Sequence, residues 1–136
     1  MISAVDSSVI LDILTASPAH FESSRSLFRR GRDEGKLIVC PLVWGELRPF
    51  FKERGELELV MEKMSIVFDD LGKEVSEMAG EIWSEYRKAK GSRSRLLPDF
   101  LIGAHAMLKA NRLITRDRGF YKSYFRKLTI LDPTTR

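Results

Sequence analysis

Four carboxylic acids in this chain stand beside short apolar runs that read as the ends of strands or the starts of helices. Asp6 follows Ile2-Ser3-Ala4-Val5, Glu46 lies in Pro41-Leu42-Val43-Trp44-Gly45-Glu46-Leu47, Asp99 follows Leu97-Pro98, and Asp117 follows Leu113-Ile114-Thr115-Arg116. Each has an ordinary explanation by itself. Asp6 and Asp99 suit the first turn of a helix, where a carboxylate accepts free backbone N–H groups and meets the positive end of the helix dipole. Asp117 has Arg116 and Arg118 for partners, and Glu46 suits a wet helix position. Together they pose an electrostatic problem, because two unit charges ~4 Å apart repel by roughly 4 kcal/mol at an effective dielectric near 20. Such a group either holds protons above the usual carboxylate range or holds a cation. A hard, partly hydrated oxygen donor set suits Mg²⁺ or Mn²⁺ better than zinc. An ion so held lowers the pKa of a bound water and stabilises charge on a phosphodiester in transit.

For the four acids to meet, the intervening chain must return repeatedly to one edge of a sheet. Ile2 to Val5 reads as a strand running into a helix carrying Val9, Ile10 and Ile13, capped by Asp6 or a following serine. A second helix is expected from Pro18 to about Gly31–Gly35, and a second strand over Leu37–Cys40. The helix opened by Pro41 carries Glu46 and is cut short or kinked by Pro49, which removes a backbone donor. Leu57 to Met64 reads as a helix and Ile66–Phe68 as a third strand. Val75, Met78, Ala79, Ile82, Trp83 and Tyr86 then form one stripe of a long amphipathic helix over Lys73–Lys90. Pro98-Asp99 opens an apolar, central helix; Arg112–Thr115 and Leu128–Leu131 complete about five strands. Strands alternating with helices predict a parallel sheet covered on both faces, a three-layer α/β/α domain spanning residues 1–136. Ligands of such folds bind beyond the carboxyl ends of the strands, where strand order reverses.

Composition limits the alternatives. Hydrophobic residues are 43% and charged residues 31% of the chain, which excludes a disordered or collagen-like polymer. No apolar run approaches the ~20 residues of a membrane span, and the start of the chain lacks the pattern of a secretory leader. Cys40 stands alone, against a disulfide or a structural zinc site. A cytoplasmic protein without membrane contact is expected. The balance of 23 Lys and Arg against 19 Asp and Glu, a formal +4, favours a polyanionic partner only weakly.

The four acidic segments, in this order, resemble the PIN-domain family of nucleases and, in size and layout, the VapC-like toxins of toxin–antitoxin pairs. The matching runs are Val5-Asp6-Ser7-Ser8-Val9-Ile10-Leu11-Asp12, Pro41 to Leu47, Leu97-Pro98-Asp99-Phe100-Leu101-Ile102-Gly103-Ala104, and Leu113 to Tyr121. The resemblance implies that Asp6, Glu46, Asp99 and Asp117 form the Mg²⁺ or Mn²⁺ site of an endoribonuclease, with Ser7, Ser8 and Thr115 lining or bracing it. It also implies water attack on an RNA phosphodiester, leaving a 5′-phosphate and a 3′-hydroxyl. Gly119 stands where many members carry a further acid, so one tightly bound ion is expected. A homodimer and a cognate antitoxin are usual in the family, and apolar residues around Leu42, Phe50, Phe51 and Leu57 offer such surfaces.

Arg93, Arg95, Arg116 and Arg118 flank the acidic segments and read either as holders of RNA phosphates or as loop charges offsetting the acids. His105, six residues past Asp99, reads as a core histidine. Two other chemistries fit less well. A phosphoaspartyl transferase of the haloacid-dehalogenase type needs an acid where Ser8 stands. A receiver-type signalling module, suggested by Asp6 and Asp69-Asp70, needs a lysine after the last strand, whereas Lys127 precedes it. A non-catalytic RNA-binding or scaffold protein of PIN-like shape is the remaining alternative.

Overall fold

The computed structural model describes residues 1–90 and 95–134. Five strands, β1 (Ile2–Val5), β2 (Lys36–Val39), β3 (Ile66–Phe68), β4 (Arg112–Ile114) and β5 (Thr129–Leu131), form one sheet in the order β3-β2-β1-β4-β5. Every pairing is parallel. Helices α1 (Ser7–Leu14), α2 (Phe21–Glu34), α3 (Pro41–Leu47), α4 (Glu56–Lys63), α5 (Gly72–Lys90), α6 (Leu97–Lys109) and α7 (Arg118–Tyr124) supply the connections. Side chains alternate between the two faces of a strand, yet Ser3 to Val5, Leu37 to Val39 and Arg112 to Ile114 are buried without a break. Both faces are therefore covered, as the α/β/α expectation requires.

The departures from the sequence expectation have local causes. Residues 18–20 form a turn, and α2 begins at Phe21. It runs through Gly31, where a Cβ would lie 2.9 Å from Leu37 Cδ2; glycine lets the helix approach the sheet. Pro49 ends the α-helical ladder as expected: α3 stops at Leu47 and the chain tightens into a 3₁₀ turn, Arg48–Phe50. Helix α7 has no sequence expectation behind it. Its seven residues show little periodicity, and tertiary packing makes it: Phe120, Tyr121 and the following Phe125 are buried around Phe100 of α6. The Phe100 ring lies 5.1 Å from Phe120 and 5.9 Å from Tyr124. Removing the fully buried Phe100 ring would cost about 3–5 kcal/mol.

His105 is a core histidine, as expected: it is buried in α6 with Nε2 2.8 Å from Asp69 Oδ2, tying that helix to the end of β3. Burial holds its pKa below the ordinary imidazole value, against the raising influence of Asp69. The expected apolar surplus is smaller than its sequence suggests. Leu57 is buried, Leu42 and Phe51 pack against the core, and of the four only Phe50 is exposed, joined elsewhere by Leu59, Val67, Phe68 and Leu96. No helix among the described residues is long and apolar enough to cross a membrane.

Candidate active site

From β1 the chain moves first to one side, to β2 and β3, and later to the other, to β4 and β5. The reversal opens a crevice between the carboxyl ends of β1 and β4, and the acidic segments gather there. Asp6 is the residue after β1. Its backbone N–H donates to Ile114 O at 2.9 Å, extending the ladder to β4 by one rung. Its Oδ1 caps α1 by accepting the Ser7 N–H at 2.8 Å, and its Oδ2 accepts the Thr115 hydroxyl at 2.7 Å. Helix capping and membership of an acidic site are thus compatible roles of one carboxylate. Thr115, wholly buried, also accepts the Asp117 N–H at 3.0 Å, so one hydroxyl links the turn after β4 to the acid after β1.

Glu46 arrives from the last turn of α3, because β2 lies beside β1. It sits on the exposed lip of the crevice, where its Oε1 accepts the Ser7 hydroxyl at 3.0 Å. Asp99 is in the first turn of α6, after Pro98 has set the helical backbone. All four acids line one open cleft, walled also by Ser7, Ser8, Ile102, Arg116 and Tyr121. Four segments widely separated in sequence therefore meet in one place.

The electrostatics bear the mark of that meeting. Burial pushes the Asp6 carboxyl up, Asp117 and Asp99 push it further, and the Thr115 and Ser7 bonds oppose them. Partial burial raises Glu46, with Asp6 and Asp99 adding to it against the Ser7 bond. Burial likewise raises Asp99, opposed by Arg95. The buried Tyr121, which also lines the cleft, has its phenol pushed up by burial and then by all four acids. Ser8 Oγ is buried without a hydrogen-bond partner among the described residues.

The arginines divide. Arg95 Nη1 lies 2.7 Å from Asp117 Oδ2 and 3.9 Å from Asp99 Oδ2, with its guanidinium 4.3 Å above the Phe120 ring. Arg116 lines the cleft but pairs away from it, with Asp12 of α1. Arg118 is exposed at the start of α7 and forms no part of the cleft wall. Arg93 lies outside the described residues. Sequence reasoning missed Asp12 and Tyr121. An acid inside the apolar helix Val9-Ile10-Leu11-Asp12-Ile13-Leu14 was a signal for a buried partner; Tyr121 carried no signal beyond its place in the last matching segment.

Among the described residues, no group of three or more His, Cys, Asp or Glu side chains is arranged to hold a metal ion as it stands. The donor set nonetheless fits a hard divalent cation: only oxygen ligands, three of them held towards the protonated form, and one arginine as the compensating charge.

Comparison with known proteins bears on the fold and the family. The chain shares its fold with VapBC from Salmonella typhimurium in a DNA-bound crystal structure, at a TM-score of 0.70 and 17% identity, covering 98% of each chain. VapBC-1 from nontypeable Haemophilus influenzae matches at 0.69 and 20%, covering 99% of this chain and 100% of that one. VapBC2 from Rickettsia felis, bound to a promoter DNA fragment, matches at 0.68 and 18%, covering 97% and 98%. A comparison with curated proteins finds no match. The family model of the PIN domain matches residues 4–126, from the first strand to beyond α7, and the chain belongs to the PIN-domain family.

Proposed function

We propose that the protein is a Mg²⁺- or Mn²⁺-dependent endoribonuclease, working in the cytoplasm as the toxin of a two-component pair. The observation that carries the reading is the one cleft lined by Asp6, Glu46, Asp99 and Asp117, with burial and mutual repulsion pushing three of them up from their ordinary values. Membership of the PIN-domain family supports nuclease chemistry, and the VapBC neighbours support a toxin held by an antitoxin. A toxin–antitoxin complex from Klebsiella pneumoniae is a further neighbour in fold, at a TM-score of 0.68 and 15% identity. The exposed Phe50, Leu59, Val67 and Phe68 provide apolar area for an antitoxin or for a homodimer.

The four carboxylates would hold the ion, which when bound lowers the pKa of a water and offsets charge on the phosphate. Thr115 and the Ser7 N–H fix both oxygens of Asp6, so that carboxylate keeps one orientation through turnover. Ser7 holds Glu46 on the lip of the cleft in the same way. Asp6 or Asp99 accepts the proton of the attacking water, a role suited to a carboxylate whose proton affinity burial has raised. The water oxygen bonds to phosphorus while the bond to the 3′-oxygen breaks and that oxygen takes a proton from solvent, leaving a 5′-phosphate and a 3′-hydroxyl. Arg116 holds a flanking phosphate, whereas Arg95 is spent on Asp117 and Asp99.

The test is cleavage of single-stranded RNA and of the matched DNA by the purified chain with Mn²⁺, Mg²⁺ or EDTA. RNA cleavage abolished by EDTA is the expected result, and Mn²⁺ raises the melting temperature, since a ligand at ~100 times its Kd adds about 2.7 kcal/mol. Metal-independent cleavage, or RNA binding without cleavage, would instead favour a different mechanism or a PIN-shaped scaffold.

A further inference from the structure

The cleft holds a second, differently built charge pair beside its acids. Asp12 lies on α1, 4% exposed, in a stretch otherwise apolar. Its Oδ2 accepts Arg116 Nε at 2.8 Å and its Oδ1 accepts Arg116 Nη2 at 3.1 Å, a side-on bidentate pair. Ser24 of α2 donates its hydroxyl to the same Oδ2 at 2.7 Å. The carboxylate is thus held from two sides, and the guanidinium it grips is one-third exposed and forms part of the cleft wall.

We infer that Asp12 is a positioning residue that locks Arg116 as a rigid fork for a substrate phosphate at the rim of the acidic cleft. This rests on the nuclease reading. The reasoning turns on what each arginine has left to offer. A guanidinium has five N–H donors in a fixed plane. Arg95 is committed to the acids, through Asp117 and Asp99. Arg116 spends two donors on Asp12, and its remaining donors have no partner among the described residues. Arg116 shares the cleft wall with Asp6, Glu46, Asp99 and Asp117, so without Asp12 its guanidinium would be free to pair with the groups that must receive a cation. The buried pair keeps it out of them and pre-orients its free edge. A bidentate fork oriented in advance loses little freedom on meeting a phosphate. Since the pair is neutral overall, it acts through hydrogen-bond direction more than through long-range attraction.

The experiment measures affinity for a short fluorescein-labelled single-stranded oligoribonucleotide in EDTA, together with KM and kcat for its cleavage in Mn²⁺. Arg116→Met should weaken metal-free binding about tenfold and raise KM similarly, with kcat within about threefold. Asp12→Asn should lose most of the same affinity, and the double variant should be no worse than Arg116→Met alone, because Asp12 acts only through Arg116. Additive losses in the double variant would overturn the inference. Should Asp12→Asn fail to fold, Arg116→Lys decides: it keeps the charge but not the fork, so a loss close to that of Arg116→Met is expected, and full affinity would be fatal to the idea. Ser24→Ala, which leaves the Asp12–Arg116 pair in place, should lower thermal stability while changing RNA affinity by less than about twofold. EDTA-sensitive cleavage by the parent with unchanged KM and affinity in Arg116→Met would sink this role and leave the nuclease reading standing. A parent that neither binds nor cleaves RNA would sink both.

Discussion

The two ends of the sheet handle charge in opposite ways. At the amino ends of the strands, Arg112 opens β4 as a buried arginine, 3% exposed. Its Nε donates to Ser3 Oγ at 2.7 Å and its Nη2 to Glu34 Oε1 at 2.6 Å, while Arg30 reaches the other Glu34 oxygen at 3.3 Å. The Arg112 bond holds the Glu34 carboxyl below its ordinary value. At the carboxyl ends, Asp6, Glu46 and Asp99 are held above theirs, by burial and by one another. The same kinds of residue thus form a matched pair at one end of the sheet and an excess of one sign at the other. A matched pair is a product of folding and asks for nothing further. An excess of carboxylate is a standing cost, which a bound cation removes.

The contrast breaks most sharply at Asp6. Asp6→Asn should reduce RNA cleavage on the order of 10³-fold in single-turnover assays with Mn²⁺, while the melting temperature in EDTA holds or rises, because a carboxylate raised by burial has been made neutral. Parent-like cleavage would remove Asp6 from the site. Arg112→Ala is the counterpart. It should cost about 2–4 kcal/mol in denaturant unfolding by losing the buried stem and orphaning Ser3 Oγ, with cleavage per folded molecule unchanged within about twofold.

A smaller effect separates the ends by pH. The raised site acids bind protons in the folded state where the unfolded chain has released them. Their contribution is complete below the unfolded values of 3.8 and 4.5 and is lost as pH rises through the raised folded ones. Glu34 and His105 run the other way, losing their contributions as pH falls. Differential scanning fluorimetry of the parent against Asp6→Asn/Glu46→Gln/Asp99→Asn isolates the site. In EDTA the parent should gain on the triple variant as pH falls from about 7.5 toward 4.5, and saturating Mg²⁺ should flatten the difference. A gap independent of pH would mean that the acids do not crowd. Smallest of all, Ser8→Ala should change stability by less than about 0.5 kcal/mol in the same melts, since its hydroxyl has no partner among the described residues to lose.

Much of the sheet was legible in the chain. The apolar runs at Ile2–Val5 and Ile66–Phe68 are strands with those bounds, Pro41 and Pro98 do open helices, and Pro49 does stop one. Those features act through the local backbone, so a sequence displays them. Helix α7 was not legible, because it exists to bury Phe120 and Tyr121 against α6 and has no periodicity of its own. Arg112 read as the first residue of a strand, with no hint that a serine and a glutamate from elsewhere would surround it.

By itself, then, the order of residues determined the alternation of strands and helices and placed four acids at the boundaries between them, since propensity, capping and proline chemistry work over a few neighbours. Only the tertiary structure decided which charges meet. It gave Arg95 to Asp117, turned Arg116 toward Asp12, left Arg118 in solvent and set Tyr121 among the acids. The reason is physical: ion pairing and desolvation depend on distances of a few ångströms between residues as much as 109 positions apart, and only the completed sheet sets those distances.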